Sequence, residues 1–430
     1  MFPQNLPDWL RYLETLHPKA IAMGLDRVRA VYGRLGLALH CPIITVTGTN
    51  GKGSTCAMLE AIVRAAGYRA GLYTSPHLLR YNERVRIAGV EADDAALCEA
   101  FAAVEAARES VQLTYFEFGT LAAFWLFACS GLDLLILEVG LGGRLDAVNI
   151  VDADVSVLTS VDLDHMDYLG PTREDIGREK AGIFRPDRVA ICAEPDPPRS
   201  VLDHAQQIGA KLSRIGVDFG YQAEGGQWQF WIRHHDGLKR RFGLPFPALR
   251  GTYQLANGSA ALAALHALEG ALPVSMGAVR RGLLEVELPG RFQVLPGRPA
   301  IVLDVAHNPH AARVLADNLL AMGYFPNTFA VFAMYADKDA RGTIAPLVSR
   351  IDRWFVAPLP GPRGGSACAL ATSLCDAGVP ERAIAQFPSV ETAFQVAWEQ
   401  VGEADRIIAF GSFLTVAAVL AARAGAKTHA

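Results

Sequence analysis

The stretch Ile43-Ile44-Thr45-Val46-Thr47-Gly48-Thr49-Asn50-Gly51-Lys52-Gly53-Ser54-Thr55 limits most sharply what this chain can fold into. Ile43 to Val46 is a short β-branched apolar run and reads as a buried parallel strand. A glycine-rich turn with one lysine and two hydroxyls follows, and Cys56 to Val63 reads as a helix. Strand, glycine loop and helix together point backbone N–H groups and a helix N-terminus at an anion. The glycines let the backbone approach phosphate oxygens, Lys52 reaches the outer phosphates, and Ser54 or Thr55 offers a hydroxyl to magnesium. The spacing departs from the common P-loop, because Gly48 stands three residues before Gly51 and Gly53 separates Lys52 from Ser54.

The rest of the chain extends that unit. Asp8 to Leu16 and Leu25 to Leu35 have helical periodicity, and Pro18 and Gly24 interrupt the link between them. Ala70 to Tyr73 reads as a second strand, running into a loop rich in hydroxyls and arginines from Thr74 to Ile87. In doubly wound sheets the carboxyl ends of the strands hold ligands. Asp93–Arg108 and Glu117–Ser130 read as helices, and Asp133 to Val139 as a buried strand ending near Glu138. A carboxylate there is costly to bury without a cation, and it is the position expected for a magnesium ligand opposite a phosphate loop. A second glycine loop, Gly140 to Asn149, follows, then the strand Val155–Thr159 and the acidic run around His165. On charge pattern alone, Lys180 in Arg178-Glu179-Lys180-Ala181-Gly182 is an exposed helix lysine. Tyr221 to Leu244 reads as a β-ribbon to which no function attaches.

At 430 residues two domains are expected. The sequence reading places an ATP-binding domain with N-terminal helices at 1–288, a linker at 289–299 and a smaller Rossmann-like α/β domain at 300–430. The strands of that last domain are expected at Ala300–Leu303, Thr328–Ala333, Trp354–Ala357 and Arg406–Phe410. The fold class is therefore α/β, an N-terminal P-loop-type doubly wound domain plus the C-terminal one. A net charge of −4 argues against nucleic-acid and anionic-membrane partners. Seven cysteines without CxxC pairs suit reduced thiols, the N-terminus lacks a signal-peptide pattern, and no apolar run is long enough to span a bilayer. The expectation is a cytoplasmic protein.

The ordered set Gly48-Thr-Asn-Gly-Lys-Gly-Ser54, Ser75-Pro-His-Leu, Glu138-Val-Gly-Leu-Gly-Gly-Arg-Leu-Asp-Ala, Asp164-His165, Arg178-Glu-Lys-Ala-Gly182, Pro289-Gly-Arg291 and Asp304-Val-Ala-His-Asn-Pro309 resembles the bifunctional dihydrofolate synthase/folylpolyglutamate synthases, relatives of the Mur ligases. The likeness runs from Trp9 to about Val416. It implies a ligase of folate biosynthesis that uses ATP and two Mg²⁺ ions to join L-glutamate to dihydropteroate and to the tail of tetrahydrofolates. It implies small-molecule partners only and a monomer.

Residue by residue, the resemblance puts Thr49, Asn50, Gly51, Lys52, Gly53, Ser54, Asn257, Arg291 and Asp304 at ATP. It makes Ser54, Ser75, Glu138, His165 and Lys180 the metal ligands. Lys180 would serve as a carbamate, which reverses the surface reading of that lysine. It gives Lys52, Lys180 and His307 catalytic roles. Ala22, Met23, Gly24, Leu25, Thr114, Tyr115, Phe116, Glu117, Leu145, Asp146 and Ala147 match the dihydropteroate-binding segments. Tyr253 departs from the pattern, standing where many relatives carry histidine. A Mur-type ligase acting on a cell-wall nucleotide would need a further N-terminal domain, whereas the phosphate loop begins by residue 48. A non-catalytic ATP-binding protein would not be expected to keep Lys52, Glu138, His165 and Lys180.

Overall fold

A computed structural model of the chain describes residues 3–19, 21–234, 237–251 and 253–427. Ala20 of the 17–25 link and Thr252 of the 251–257 motif lie outside them. The chain forms two units, Met1–Ala248 with Gln254–Val286, and Leu249–Tyr253 with Glu287–Ala430.

The first unit is built on eight strands: β1 Ile43–Thr47, β2 Ala70–Tyr73, β3 Val85–Ile87, β4 Val90–Glu91, β5 Leu134–Glu138, β6 Val155–Leu158, β7 Val189–Cys192 and β8 Lys211–Arg214. Their order is β4-β3-β2-β5-β1-β6-β7-β8. From β2 to β8 the strands are parallel, while β3 and β4 add an antiparallel edge. Every residue of β1, β2, β5 and β6 is buried, as the unbroken apolar runs require of a sheet covered on both faces. The strand order reverses around β1, whose neighbours β5 and β6 come later in the chain on opposite sides. Val46 pairs with Glu138, Thr47 with Leu158, and Tyr73 with Leu137. The loops after β1, β2, β5 and β6 therefore open at one edge, at the switch point where such sheets bind ligands.

The helices carry their own stop and start signals. Asn5, Asp93, Thr114, Thr172 and Ser275 cap five of them, each side-chain oxygen accepting a backbone N–H two or three residues into the helix. Thr114 and Glu117 form a full capping box, so that helix runs Tyr115–Ala128, two residues earlier than the apolar pattern suggests. The N-terminal helices Leu6–Thr15 and Asp26–Leu35 join the core through Trp9, Leu13, Val28 and Val31. The Trp9 ring lies 5.9 Å from Phe101, which stands 5.8 Å edge-on to Phe118.

The ribbon is real: β9 Phe219–Glu224, β10 Gln227–His234 and β11 Gly237–Pro245 form an antiparallel sheet. Trp228, Phe230 and Ile232 are its buried face, and Trp228 packs near Gly258 of the helix Gln254–Ala267. The ribbon thus covers that helix; burying each such side chain contributes roughly 2–3 kcal/mol.

The second unit has six strands: β12 Gln293–Leu295, β13 Ala300–Leu303, β14 Thr328–Phe332, β15 Arg353–Val356, β16 Ile384–Gln386 and β17 Arg406–Phe410. Their order is β12-β13-β17-β14-β15-β16, parallel except for β12. The segment 289–299, expected as a linker, contains one of these strands. Its residues Gln293 to Leu295 pair antiparallel with Leu303 to Ile301 and close the sheet edge. The prolines and glycines that suggested a linker flank this short strand, at Pro289, Gly290, Pro296 and Gly297. Among the described residues no helix is long and apolar enough to cross a membrane.

Candidate active site

The loop after β1 is braced on both sides by hydroxyls. Thr159 donates to the Asn50 carbonyl at 2.6 Å, and Ser160 to the same oxygen at 3.0 Å. The Asn50 N–H donates to Ser160 Oγ at 2.9 Å, and the Thr49 N–H to the Ser160 carbonyl at 2.9 Å. On the other flank, Thr47 donates to the Gly142 carbonyl at 2.6 Å. Gly48 has φ +154° and leaves no room for a Cβ against Thr159. Gly51, the N-cap of the helix Lys52–Ala65, has φ +87°, and a Cβ there would stand 2.5 Å from Asn257 Oδ1. Asn257 is therefore at the phosphate loop, brought there by the first turns of the helix Gln254–Ala267. It donates to Gln254 at 3.0 Å, and Gln254 reaches Ser54 Oγ at 3.4 Å. Lys52 folds back over the loop, donating to the Gly48 carbonyl at 2.8 Å. Gly53 and Ser54 lie buried in the first helical turn.

The residues expected for a metal lie at the end of β5 and on the loops and helices that follow β1, β2 and β6. Glu138, 4% exposed, ends β5 next to Val46 and accepts the Ser75 N–H at 3.2 Å. His165 follows β6 in a left-handed conformation, φ +52°, its N–H held by Asp164 at 2.8 Å. Lys180 is the clearest departure from the charge-pattern reading. It is 3% exposed rather than on the surface. Burial first, then the nearby Lys52 cation, pull its ammonium down to about 7, against the opposing pull of Asp164 and Asp146. The loop after β5 covers this turn, since the Arg144 N–H donates to the Glu179 carbonyl at 2.8 Å and Arg144 pairs with the Glu179 carboxylate at 2.8 Å.

Asp146 lies in the same loop. Burial pushes its carboxyl up to about 7, although the N–H groups of Leu141 at 2.8 Å and Val148 at 3.1 Å favour the anion. Serine hydroxyls and a carboxylate are hard oxygen donors of the kind that suit Mg²⁺. Among the described residues no group of three or more His, Cys, Asp or Glu is placed to hold an ion unaided.

The three segments expected on the pteroate side meet along one wall. Phe116 stands over Gly140, and the Met23 methyl approaches Gly142. Ala22 and Glu117 both contact Arg27. Leu145 is half-buried, Asp146 buried, and Ala147 starts a turn of 3-10 helix. Gly24 and Leu25 lead into the helix Asp26–Leu35, with Leu25 buried. Tyr115 and Phe116, both half-buried, edge an aromatic cluster with Tyr81 at 5.9 Å and Tyr73 at 6.0 Å respectively. Arg84 lies over the Tyr81 and Tyr115 rings and donates to His77 at 2.9 Å. Burial, then this cation, hold the His77 imidazole down at about 4.

Arg291, Asp304 and His307 stand together in the second unit. The Asp304 carboxylate accepts the N–H groups of Phe292 at 2.9 Å and Ala306 at 2.7 Å, and burial raises its pKa against the pull of Arg291. The Arg291 guanidinium lies 5.0 Å over the Phe413 ring. His307 Nδ1 is 2.8 Å from the Val305 carbonyl, which orients the ring. Tyr253 packs edge-on to His310 at 5.5 Å. The residues that sequence reasoning missed are Thr159, Ser160 and Arg27. The first two carried a signal, a pair of hydroxyls just past an apolar strand; Arg27 carried none, being one charge on an ordinary helix.

Residues 46–265 match the Mur ligase middle domain, and residues 290–413 match the Mur ligase glutamate ligase domain. The dihydrofolate synthase/folylpolyglutamate synthase of Escherichia coli K12 is 48% identical over 98% of this chain and 97% of its own. The solved structure of Escherichia coli FolC in complex with DHPP and ADP superposes with a TM-score of 0.92 at 46% identity, covering 99% of each chain. The Yersinia pestis bifunctional folylpolyglutamate synthase/dihydrofolate synthase complexed with AMPPNP and Mn ion has a TM-score of 0.90 at 49% identity, covering 99% of this chain and 100% of the other. The chain belongs to the Mur ligase family, among its dihydrofolate synthase/folylpolyglutamate synthase members.

Proposed function

We propose that this chain is an ATP-dependent amide ligase that adds L-glutamate to 7,8-dihydropteroate, giving dihydrofolate, and to the glutamate tail of tetrahydrofolates. The observation that carries the reading is the braced glycine loop with Lys52 and Glu138 at neighbouring strand ends and Lys180 buried in the last turn of the helix Arg173–Ala181. A carboxylate oxygen of the acceptor attacks the γ-phosphorus of ATP, ADP leaves, and an acyl phosphate forms. The glutamate nitrogen then attacks the acyl carbon, phosphate leaves, and the nitrogen gives up a proton. Phosphoryl transfer needs positioned groups and neutralised charge more than covalent help. The loop N–H groups and Lys52 supply both at the phosphates, with Asn257 closing the loop from the side. Two Mg²⁺ ions, held by Ser54, Ser75, Glu138, His165 and Lys180, would neutralise the phosphate oxygens.

Lys180 suits the carbamate role because burial keeps much of its amine neutral near pH 7. A neutral amine adds to CO₂, forming an N–C bond and releasing one proton, and the resulting anion has two oxygens to offer. Arg291 and Asp304 serve ATP in this reading, and His307 serves the acyl phosphate or the incoming glutamate. The Tyr115 and Phe116 rings offer faces to the pterin. Phosphate release tests the proposal, with ATP, Mg²⁺ and L-glutamate given 7,8-dihydropteroate or tetrahydrofolate. Release with both is expected. Release with tetrahydrofolate alone would leave a tail-lengthening enzyme, and release with neither would refute the ligase reading.

A further inference from the structure

The segment from Ile21 to Gly24 forms no helix or strand, and its side chains are only half-buried. Its firmest tie is one guanidinium. Arg27 Nη2 donates to the Ala22 carbonyl at 2.7 Å and to Glu117 Oε1 at 2.8 Å, while Nε lies 3.4 Å from Glu117 Oε2. Glu117 Oε2 also accepts the Thr114 N–H at 2.7 Å. The Glu117 side chain is 5% exposed, so its two oxygens are engaged by the helix cap and by Arg27 in a nearly dry setting. A carboxylate so occupied has little left to offer a bound heterocycle.

We infer that Arg27 is a positioning residue that clamps the 22–25 loop to the 114–117 turn, and that Glu117 acts through this clamp rather than as a ligand. The inference rests on the proposed function, which assigns both segments to the pteroate side. A planar guanidinium can serve two acceptors in different directions at once. An ammonium is a point charge, so lysine would keep the pairing with Glu117 and lose the bridge to Ala22. Charge-assisted hydrogen bonds of this kind are worth enough that removing the bridge raises the dihydropteroate KM about tenfold.

The test compares Arg27→Lys and Arg27→Ala with the unaltered protein by steady-state kinetics and by hydrogen exchange without substrates. A raised KM for dihydropteroate, with the ATP KM and kcat held within about twofold, is expected in Arg27→Lys, and a larger rise in Arg27→Ala. Faster amide exchange at residues 21–25, with unchanged exchange in β1 and β5, is expected in both. An unaltered dihydropteroate KM in a folded Arg27→Lys protein would overturn the clamp. So would a loss spread equally over all substrates with a lowered melting temperature, which marks a merely structural pair. If the unaltered protein does not use dihydropteroate, the functional reading fails by itself. Exchange at 21–25 then decides the clamp, and unchanged protection there would refute it.

Discussion

The two α/β units bury charge at the ends of their sheets with different sets of partners. Each presents polar residues at the carboxyl ends of a largely parallel sheet. In the first unit these residues are poorly matched to burial. Lys180 is pulled down and Asp146 pushed up to about 7, and Lys52 rests on loop carbonyls. In the second unit burial likewise raises Asp304, which accepts two backbone N–H groups, but the cation that pulls against it, Arg291, lies on an aromatic face. The contrast is between two neighbouring cations, Lys180 pulled down by burial and by Lys52, and a single cation set beside a carboxylate, Arg291 next to Asp304. Strongly perturbed buried charges with a specific charge partner single out candidate functional groups.

The contrast is broken most easily at Glu138. Glu138→Ala should lower turnover on the order of 10³-fold with the fold intact, because in the proposed reading it removes an anionic ligand of the metal that would neutralise the phosphate oxygens. Turnover and circular dichroism together check this, and near-normal turnover would remove Glu138 from the metal site.

Glycines at the two sheet ends sharpen the difference. Gly48→Ala forces a Cβ against Thr159 at φ +154°, and Gly411→Ala forces one against the Ala333 carbonyl at 2.5 Å and φ +108°. Each should cost about 2 kcal/mol in chemical denaturation. Gly48→Ala alone should also raise the ATP KM by an order of magnitude or more, because its loop is the proposed phosphate cradle.

The pH dependence of stability should follow the first unit. Folded Lys180 holds its proton less tightly than its ordinary 10.5, so stability rises as pH climbs from about 7 towards 10.5. Folded Asp146 holds its proton more tightly than its ordinary 3.8, so stability falls as pH climbs from there to about 7. In CO₂-depleted buffer Lys180→Met should flatten the alkaline rise and Asp146→Asn the acidic fall, each by on the order of 4 kcal/mol. Denaturant titrations across pH read both slopes, and a Lys180→Met profile that still rises would place the titration elsewhere.

The smallest effect is at the helix caps. Thr114→Ala and Ser389→Ala each remove a side chain that accepts a backbone N–H at 3.2 Å, worth about 1 kcal/mol of stability. Only Thr114→Ala should also raise the dihydropteroate KM.

Much of the first sheet was legible because its strands are unbroken apolar runs followed by glycine, hydroxyl or carboxylate. The edge strands were not. Val90–Glu91 has two exposed residues and Gln293–Leu295 three half-buried ones, too few for any periodicity to register. Lys180 reads as a surface residue because its neighbours Arg178 and Glu179 are charged. Its burial comes from the 140–146 loop, some 40 residues earlier in the chain, laid across that turn. The phosphate loop announced itself, but the hydroxyls that brace it lie more than 100 residues away. Arg27 became visible only through what it joins. Local pattern shows which residues can do chemistry; long-range packing decides which are buried, and so which have their charges perturbed.

The central claim is that the first unit's loop moves a phosphoryl group onto the acceptor's carboxylate. Turnover of carboxyl-¹⁸O-labelled dihydropteroate with ATP, Mg²⁺ and L-glutamate tests it directly. One labelled oxygen per turnover should appear in inorganic phosphate, carried there when the glutamate nitrogen displaces the acyl phosphate. Unlabelled phosphate, or label found in AMP, would contradict the account.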